Sequence, residues 1–440
     1  VSELYVPAYS IAISEGGQAL QPITVEQRSG VKSVEVSNHI DKSDTFSLKL
    51  DNEHHKYSDD PVFVEGNGVS ILMGYKGRLR GMMLGEIKVI TGDFAEEETM
   101  DLQGVDATMT DLGVAVGNRK FKSLRDSDIV KSIAKEAISR VGPRSLKKFY
   151  IAKTEIGPQF DAYLKSDKKA EVTLKSSTTA YQFIRRLANR NSFLFFIRNQ
   201  ILFFLPPHMQ EQPDYTYAYK MPGTPELSRI EKLSWKLSTQ KQPRVVSGNV
   251  GLDGKPLPEV SSTSSNKQLQ TTNNPNDDAA GVDKTVDRDN RTKGYVAVDD
   301  TQLGISRRTD HLFVDHEFVL EATATHRGEP NMRAGLTVEW MGIGNRLSGK
   351  WFVRSVKHIY SEAGYVNQTV GVRNALGPIS VQFEPKSRMV QQGADIPANV
   401  KRSNRLSRED LVDGSASEEE AIAALRGSEA ARLLASEGVL

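Results

Sequence analysis

GLTVEWMGIGNRLSGKWFVRSVKHIYSEAGYVNQTVGVRNA, residues Gly335 to Ala375, alternates apolar and polar side chains in three runs broken by short Gly-containing turns. It holds two of the chain's three tryptophans, Trp340 and Trp351. A period of two places alternate side chains on opposite faces of a strand, so the stretch reads as an antiparallel meander. A diverged twin lies near the other end of the chain, GVSILMGYKGRLRGMMLGEIKVITGDFAEEETMDLQGVDA, Gly68 to Ala107. Gly68 to Gly74 answers Gly335 to Gly342, and the turn Arg78-Leu79-Arg80-Gly81 answers Arg346-Leu347-Ser348-Gly349. Leu84 to Ile90 then answers Trp351 to Ile359, and Thr99 to Val105 answers Tyr365 to Val372. Matched glycines and shared spacing go beyond alternation, which is all that unrelated meanders need to have in common. Two copies this far apart indicate one β-module used twice rather than a solenoid.

Working outward, the segment from Ala8 to Ala115 is nearly all strand and turn. Tyr9 to Ile13 and Ser33 to Asn38 alternate, Gly16-Gly17 turns, and Thr45 to Leu50 puts Phe46, Leu48 and Leu50 on one face. Short, evenly spaced strands predict a small barrel or sandwich, and a barrel leaves no exposed edge. From Phe121 the character changes. Ile129, Val130, Ile133, Ala134, Ala137, Ile138 and Val141 recur at helical spacing, with Ser127 as N-cap and Gly142-Pro143 as the stop. Thr179 and Gln182 predict a capping box for a second helix whose stripe is Phe183, Ile184, Leu187 and Ala188. Phe193 to Arg198 and Ile201 to Leu205 follow as a hairpin around Asn199-Gln200, covered on both faces.

Strand character resumes from Leu227, most clearly at Ile230 to Leu237, and again over Phe313 to Thr325; Gly328 to Gly335 reads as a turn. Between them, Val250 to Gly294 lacks any aromatic residue and is crowded with Ser, Thr, Asn, Asp, Gly and Pro. Such a segment buries too little apolar surface to offset its ordering entropy, which predicts a flexible excursion. Beyond Phe383 there are no aromatics. Pro385 to Arg408 reads as an extended tether, and Ile422, Leu425, Leu433 and Leu434 mark short helices with two open readings, a frayed tail or a segment that folds on a partner. The expected architecture is α+β and β-dominated, with two similar small β-barrel domains. These are residues 1–118, then 211–249 with 295–383; an α+β insert covers 119–210, the loop 250–294, and a C-terminal tether with short helices 384–440.

Composition narrows the function. The 440 residues are 38% hydrophobic and 26% charged, with 57 Lys and Arg against 56 Asp and Glu, so no net field announces nucleic acid or an anionic membrane. Absence of cysteine rules out disulfides, thiol catalysis and thiolate metal sites. The N-terminal residues lack a basic region followed by an apolar run, and no run of some 18 apolar residues occurs anywhere. The chain therefore reads as carrying neither a cleaved signal nor a membrane span.

No stretch assembles catalytic chemistry. Gly344-Asn-Arg-Leu-Ser-Gly349-Lys350 approaches a phosphate loop, but Trp351 stands where Ser or Thr must reach magnesium, and the loop joins strands rather than feeding a helix. His311, His316 and His326 share a β-region without metal-binding spacing, and His54-His55 sits in a polar loop. Glu96-Glu97-Glu98 reads as a solvated turn, and carboxylate pairs for glycoside hydrolysis are a matter of spatial separation. No Gly-x-Ser-x-Gly elbow is present. Arg185, Arg186 and Arg190 beside Phe193 and Phe195 form the best basic-aromatic cluster, and its phenylalanines read as core.

The order barrel, helix-plus-hairpin insert, barrel resembles the late control gene D family, the baseplate hub proteins of contractile phage tails. Relatives of that family form the hub portion of the type VI spike protein and of other contractile injection systems. The most specific match is a Gly-x-Trp/Tyr-x-Val-x-Ser-Val-x-His strand followed by Gly-Tyr, here Gly349, Trp351, Val353, Ser355, Val356, His358, Gly364 and Tyr365. The resemblance covers about Val1 to Phe383, and Thr179 to Pro207 is similar to the family's helix and Phe-rich hairpin. It implies a non-enzymatic homotrimer without catalytic, metal or cofactor site, joining a hexameric tail-tube ring to a trimeric spike among other baseplate proteins. It also implies assembly in the bacterial cytoplasm and residence in a phage tail or injection particle, with no specific nucleic acid and no stable membrane insertion. This sequence departs from spike fusions in having no further barrel or β-helix after the hub, so the spike would be a separate chain, held by the 384–440 tail. The rival readings are a hub with peptidoglycan-lytic activity and a carbohydrate-binding β-protein.

Overall fold

The computed structural model describes residues 6–40, 42–106, 112–113, 119–122, 124–139, 146–154, 171–174, 178–191, 193–206, 213–221, 229–237, 244–247, 260–262, 293–295, 318, 320–373, 411–417 and 419–421. The first half contributes β1 (Pro7–Ser14), β2 (Gln21–Pro22), helix α1 (Val25–Ser29), β3 (Val31–His39) and β4 (Thr45–Asp51), then the meander β5 (Gly68–Tyr75), β6 (Arg78–Phe94) and β7 (Glu98–Asp106). The insert contributes β8 (Arg119–Lys122), α2 (Asp126–Ser139), β9 (Lys148–Ile151), β10 (Glu171–Leu174), α3 (Ala180–Asn191), β11 (Leu194–Arg198) and β12 (Ile201–Leu205). The second half contributes β13 (Tyr215–Ala218), β14 (Ile230–Leu237), β15 (Arg244–Ser247), β16 (Val260–Ser262), β17 (Lys293–Tyr295), β18 (Leu320–Arg327), β19 (Thr337–Met341), β20 (Gly349–Ser361) and β21 (Gly364–Arg373).

Thirteen strands form one sheet, and its two halves repeat the same path. In the first, β3 pairs β4, then β7, β6, β5 and β1 follow; in the second, β14 pairs β18, then β21, β20, β19 and β13 follow. The twin segments of the sequence are therefore the same meander, β5-β6-β7 and β19-β20-β21. They even share a bulge. Register slips by one residue between Ile87 and Val89 on β6 and between Val353 and Ser355 on β20, leaving Lys88 and Arg354 as the extra residues. Opposite the bulges stand Gly104 and Gly371, where a Cβ would run into the Phe46 ring or the Trp340 ring. Divergence shows at the last strand, since β1 joins antiparallel and β13 parallel.

The pairings trace an open path, but each half curls around its own core. Ile11, Val36, Phe46, Ile71, Ile87 and Leu102 meet in one cluster, although β1 and β3 lie at opposite ends of their half's path. Tyr217, Ile230, Ala322, Val338, Trp340 and Trp351 form the other, with the two indoles 5.0 Å apart. Alternation explains both, because inward residues recur every second position along each strand.

The insert is a three-stranded sheet, β11-β12-β9, under α2 and α3. Thr179 and Gln182 make the expected reciprocal cap, each accepting from the other's backbone N–H at 3.2–3.3 Å. Helix α2 begins at Asp126, one residue before the expected N-cap; Ser127 lies inside the first turn and donates its N–H to Thr154. The expected stop at Gly142-Pro143 falls outside the described residues. Phe195 and Phe204 face the helices, while Phe196 and Phe203 face the other way onto Leu411, Ala416 and Ala421. That second cover comes from the region expected to be a tether. Leu411 bridges to Ala152, Val412 donates to the Ile151 carbonyl, and Glu420 pairs with Lys148. Pro385 to Arg408 and residues 422–440 lie outside the described residues. In the expected flexible excursion, Val260–Ser262 and Lys293–Tyr295 instead pair with β15 as a small sheet, valine-rich in its first two strands. Of the alternation expected over Phe313 to Thr325, the described strand begins at Leu320 and runs on to Arg327.

Candidate assembly seam

The two halves join where the distal part of β20 leaves its own half and pairs with β3 of the other. Ser355 faces His39, His358 faces Val36 and Ser361 faces Ser33, antiparallel throughout. Strand β20 is long enough to do this because its first residues pair with β19 and only the later ones cross over. Ile40, Ala334, Phe352 and Val372 pack across the joint, with Leu194 of the insert against them.

Beside this apolar patch lies a buried polar cluster. Asp44, in the turn after β3, accepts from the Asn38 amide at 2.7 Å and the His39 N–H at 2.9 Å. Arg198 reaches it from the insert, with Nε 3.9 Å from Asp44 Oδ2, and donates to the Ala334 carbonyl at 3.0 Å. One side chain thus ties the insert to both halves. Asn199 and Gln200 both adopt left-handed backbone (φ 48° and 61°), the two-residue turn that matches strand twist and brings Arg198 to the joint. Burial pushes the Asp44 carboxyl up against the lowering pull of Arg198, and pushes Arg198 down. Each charged form is costly in this site and is held by the other.

Arg333 bridges the halves a second time. It donates to the Pro330 and Met332 carbonyls at 2.7 Å and to the Gly81 carbonyl of β6 at 2.9 Å. Burial, then the neighbouring Arg198 cation, lowers it to about 10. His358 lies against it, with Nε2 2.9 Å from the Met332 carbonyl and Nδ1 2.7 Å from the Tyr365 hydroxyl. Nε2 also lies 3.2 Å from Arg333 Nη1, but both hydrogens of that nitrogen are directed at the Pro330 and Met332 carbonyls, so Nε2 carries the proton toward the Met332 carbonyl and Nδ1 accepts from Tyr365. Burial and the Arg333 cation hold this imidazole well below its ordinary value. Tyr75 of β5 donates to the Gly328 carbonyl at 2.7 Å, closing the joint from the first half. The distinctive strand motif is thereby located: Trp351 and Val353 fill the second core, while His358 and Tyr365 serve the seam.

The remaining sequence candidates resolve individually. The Gly344 to Lys350 loop is a strand connection whose Leu347 and Ser348 carbonyls face the Arg373 guanidinium at 3.0 Å. Its polarity is opposite to a phosphate cradle, which presents N–H groups. His326 is buried, its Nδ1 donating to the Arg327 carbonyl and its Nε2 accepting from Thr369, and burial lowers it to about 4. His311 and His316 lie outside the described residues. His54 and His55 are exposed beside Glu53 and Glu98. Glu97 caps the β6-β7 turn on Lys32, and Glu98 opens β7. Arg185 and Arg186 ride on α3 while Phe195 is core and Phe193 packs against it; Arg190's side chain lies outside the described residues. Among the described residues no cluster of three His, Asp or Glu is placed to hold a metal ion, and no helix is long and apolar enough to cross a membrane. Asp44, Arg198 and Arg333 carry the seam without any local signal in the sequence. They meet only through the fold.

No protein-family model and no curated protein matches this chain. Solved structures do. A tail protein from Neisseria meningitidis MC58 is 12% identical and superposes with a TM-score of 0.56 over 84% of this chain and 97% of its own. The 43 kDa tail protein of prophage MuSo2 from Shewanella oneidensis is 13% identical, TM-score 0.57, over 83% and 99%. Prophage tail protein gp18 from Listeria monocytogenes EGD-e is 11% identical, TM-score 0.50, over 83% and 94%. At such identities the likeness is one of fold, and it extends over nearly the whole of each tail protein.

Proposed function

We propose that this chain, having the fold of prophage tail proteins, is a structural baseplate hub that works as a homotrimer. In this reading it joins the hexameric ring of a tail tube to a trimeric spike, in a contractile phage tail or a phage-derived injection particle. The observation that carries the reading is the repeated strand path, down to the matching bulges at Lys88 and Arg354. Three copies of a chain with two equivalent halves present six similar faces, which meets a sixfold ring on one side and a threefold partner on the other. The buried seam supports it, since Asp44, Arg198 and Arg333 fix the angle between halves, as a ring requires.

The domain division proposed with it is first hub domain 1–118, insert 119–210, second hub domain 211–249 with 295–383, loop 250–294 and tail 384–440. The tail is proposed to hold the spike, with its Leu411–Ala421 stretch anchored on the insert. Neither a catalytic step nor a cofactor is part of this role. Sedimentation of the purified chain alone and with a cognate spike tests it: a mass of three chains is expected, and a monomer in both samples overturns it. Turnover of peptidoglycan, abolished by a single carboxylate substitution, would favour a lytic hub instead.

A further inference from the structure

We infer that the edge of β14 from a second copy of this chain pairs antiparallel with the free distal edge of β6, reproducing between molecules the β20-β3 joint found within one. The number of copies rests on the trimeric reading above; the identity of the two edges and their register do not. Within the chain, β20 pairs β19 and then β3 on the same side. Its twin β6 pairs β5 over Arg78 to Glu86, and among the described residues its continuation from Val89 to Phe94 has no strand on that side. The twin of β3 is β14, which pairs β18 on one edge and, among the described residues, nothing on the other. Among the described residues the repeat thus contains one filled joint and the two unfilled halves of a second.

Register follows from the matching bulges. Ile87 corresponds to Val353, so Gly92 corresponds to His358. Gly104 corresponds to Gly371, and stepping across the paired strands makes Phe46 equivalent to Ala322 and Val36 to Trp235. Because His358 faces Val36, Gly92 should face Trp235. Phe94 then faces Leu233, and Ile90 faces Leu237.

The side chains on these edges fit that pairing: Ile90 packs on the first core and Leu233 and Leu237 on the second, while Phe94 meets only the edge of the His55 ring among the rings around it. Phe94 is 67% exposed, Trp235 52% and Val89 48%, and Trp235 is the one exposed tryptophan of the three. In the joint, the Trp235 indole would lie over a glycine, as Trp340 lies against Gly371. Ile90, Gly92 and Phe94 would extend one half's inward face and Leu233, Trp235 and Leu237 the other's. On the outward face Asp93 would sit between Lys232 and Lys236. Exposed apolar edge strands are a liability that folded proteins blunt or cover, and a second copy covers both edges at once.

Absence of cysteine gives a clean test. The Phe94→Cys/Leu233→Cys double variant, oxidised at high protein concentration, should form intermolecular disulfides, because facing residues bring Cα atoms to roughly 4.5–5.5 Å. The Phe94→Cys/Lys236→Cys control places the thiols on opposite faces and should not. Trp235→Lys should weaken association at least about tenfold while leaving the circular dichroism of the isolated chain unchanged. Cross-linked closed trimers support both the inference and the trimeric reading. Trimers that fail to cross-link, or that cross-link equally in the control, overturn the inference and leave the trimer standing. Cross-linked dimers or open polymers keep the edge pairing and overturn the trimer. Monomers without cross-links overturn both.

Discussion

Replacing Asp44 by Asn should loosen the joint more than any single surface change. Both Asp44 and Arg198 are buried, and at 3.9 Å two unit charges attract by about 4 kcal/mol at an effective dielectric of ~20. Burying each ion costs several kcal/mol, so the pair as a whole contributes little, but removing one partner leaves the other uncompensated. Asp44→Asn should therefore destabilise the chain by about 3–5 kcal/mol in urea unfolding followed by tryptophan fluorescence. The amide also turns an NH2 toward one of the two donors, Asn38 or His39, that the carboxylate now satisfies. Adding Arg198→Met removes the stranded cation, so the double variant should be more stable than Asp44→Asn alone. In Arg198→Met by itself, Asp44 keeps a raised carboxyl value without its counter-charge. The folded state then holds the proton more tightly than the unfolded one, so that variant should be most stable at acid pH and lose stability as pH rises past the usual carboxylate range. Strict additivity of the two single effects, with no recovery in the double variant, would refute the reasoning.

Two further perturbations probe the cores. Gly104→Ala and Gly371→Ala set a Cβ about 2–3 Å from the Glu86 carbonyl and the Phe46 ring, or from the Trp340 ring, and each should cost roughly 1–3 kcal/mol by thermal melting; melts indistinguishable from the parent would show that the bulges are slack. His326, lowered to about 4 against 6.5 when unfolded, stays neutral in the fold while the unfolded chain takes up a proton. Stability should fall by about 3 kcal/mol as pH drops from 6.5 to 4, and His326→Gln should remove that share of the slope. His358 acts in the same direction, so a pH-independent urea midpoint over that range would contradict both assignments.

The meanders were legible because burial writes a period of two into Met100, Leu102 and Gly104 and into Tyr365, Asn367 and Thr369, and because turns demand glycine at Gly77, Gly342 and Gly344. Capping chemistry announced α3 through Thr179 and Gln182, since that signal is wholly local. The bulged Lys88 and Arg354 could not be read, because an extra exposed cation on a strand looks like any polar position. Nor could the seam. Asp44, Arg198 and Arg333 lie more than a hundred residues apart in sequence and acquire their meaning from the fold. The 411–421 stretch reads as tether because its apolar residues are few and none is aromatic, yet Leu411, Ala416 and Ala421 cover the outer face of the insert's sheet while Val412 joins the core on its helix side.

An image of the assembled protein along its axis tests the central claim most directly. The account predicts three chains around a channel with six similar lobes, alternating between the Gly68–Asp106 meander and its Gly335–Arg373 twin. A ring built from six chains, or three chains whose second halves stand outside the ring, would contradict it.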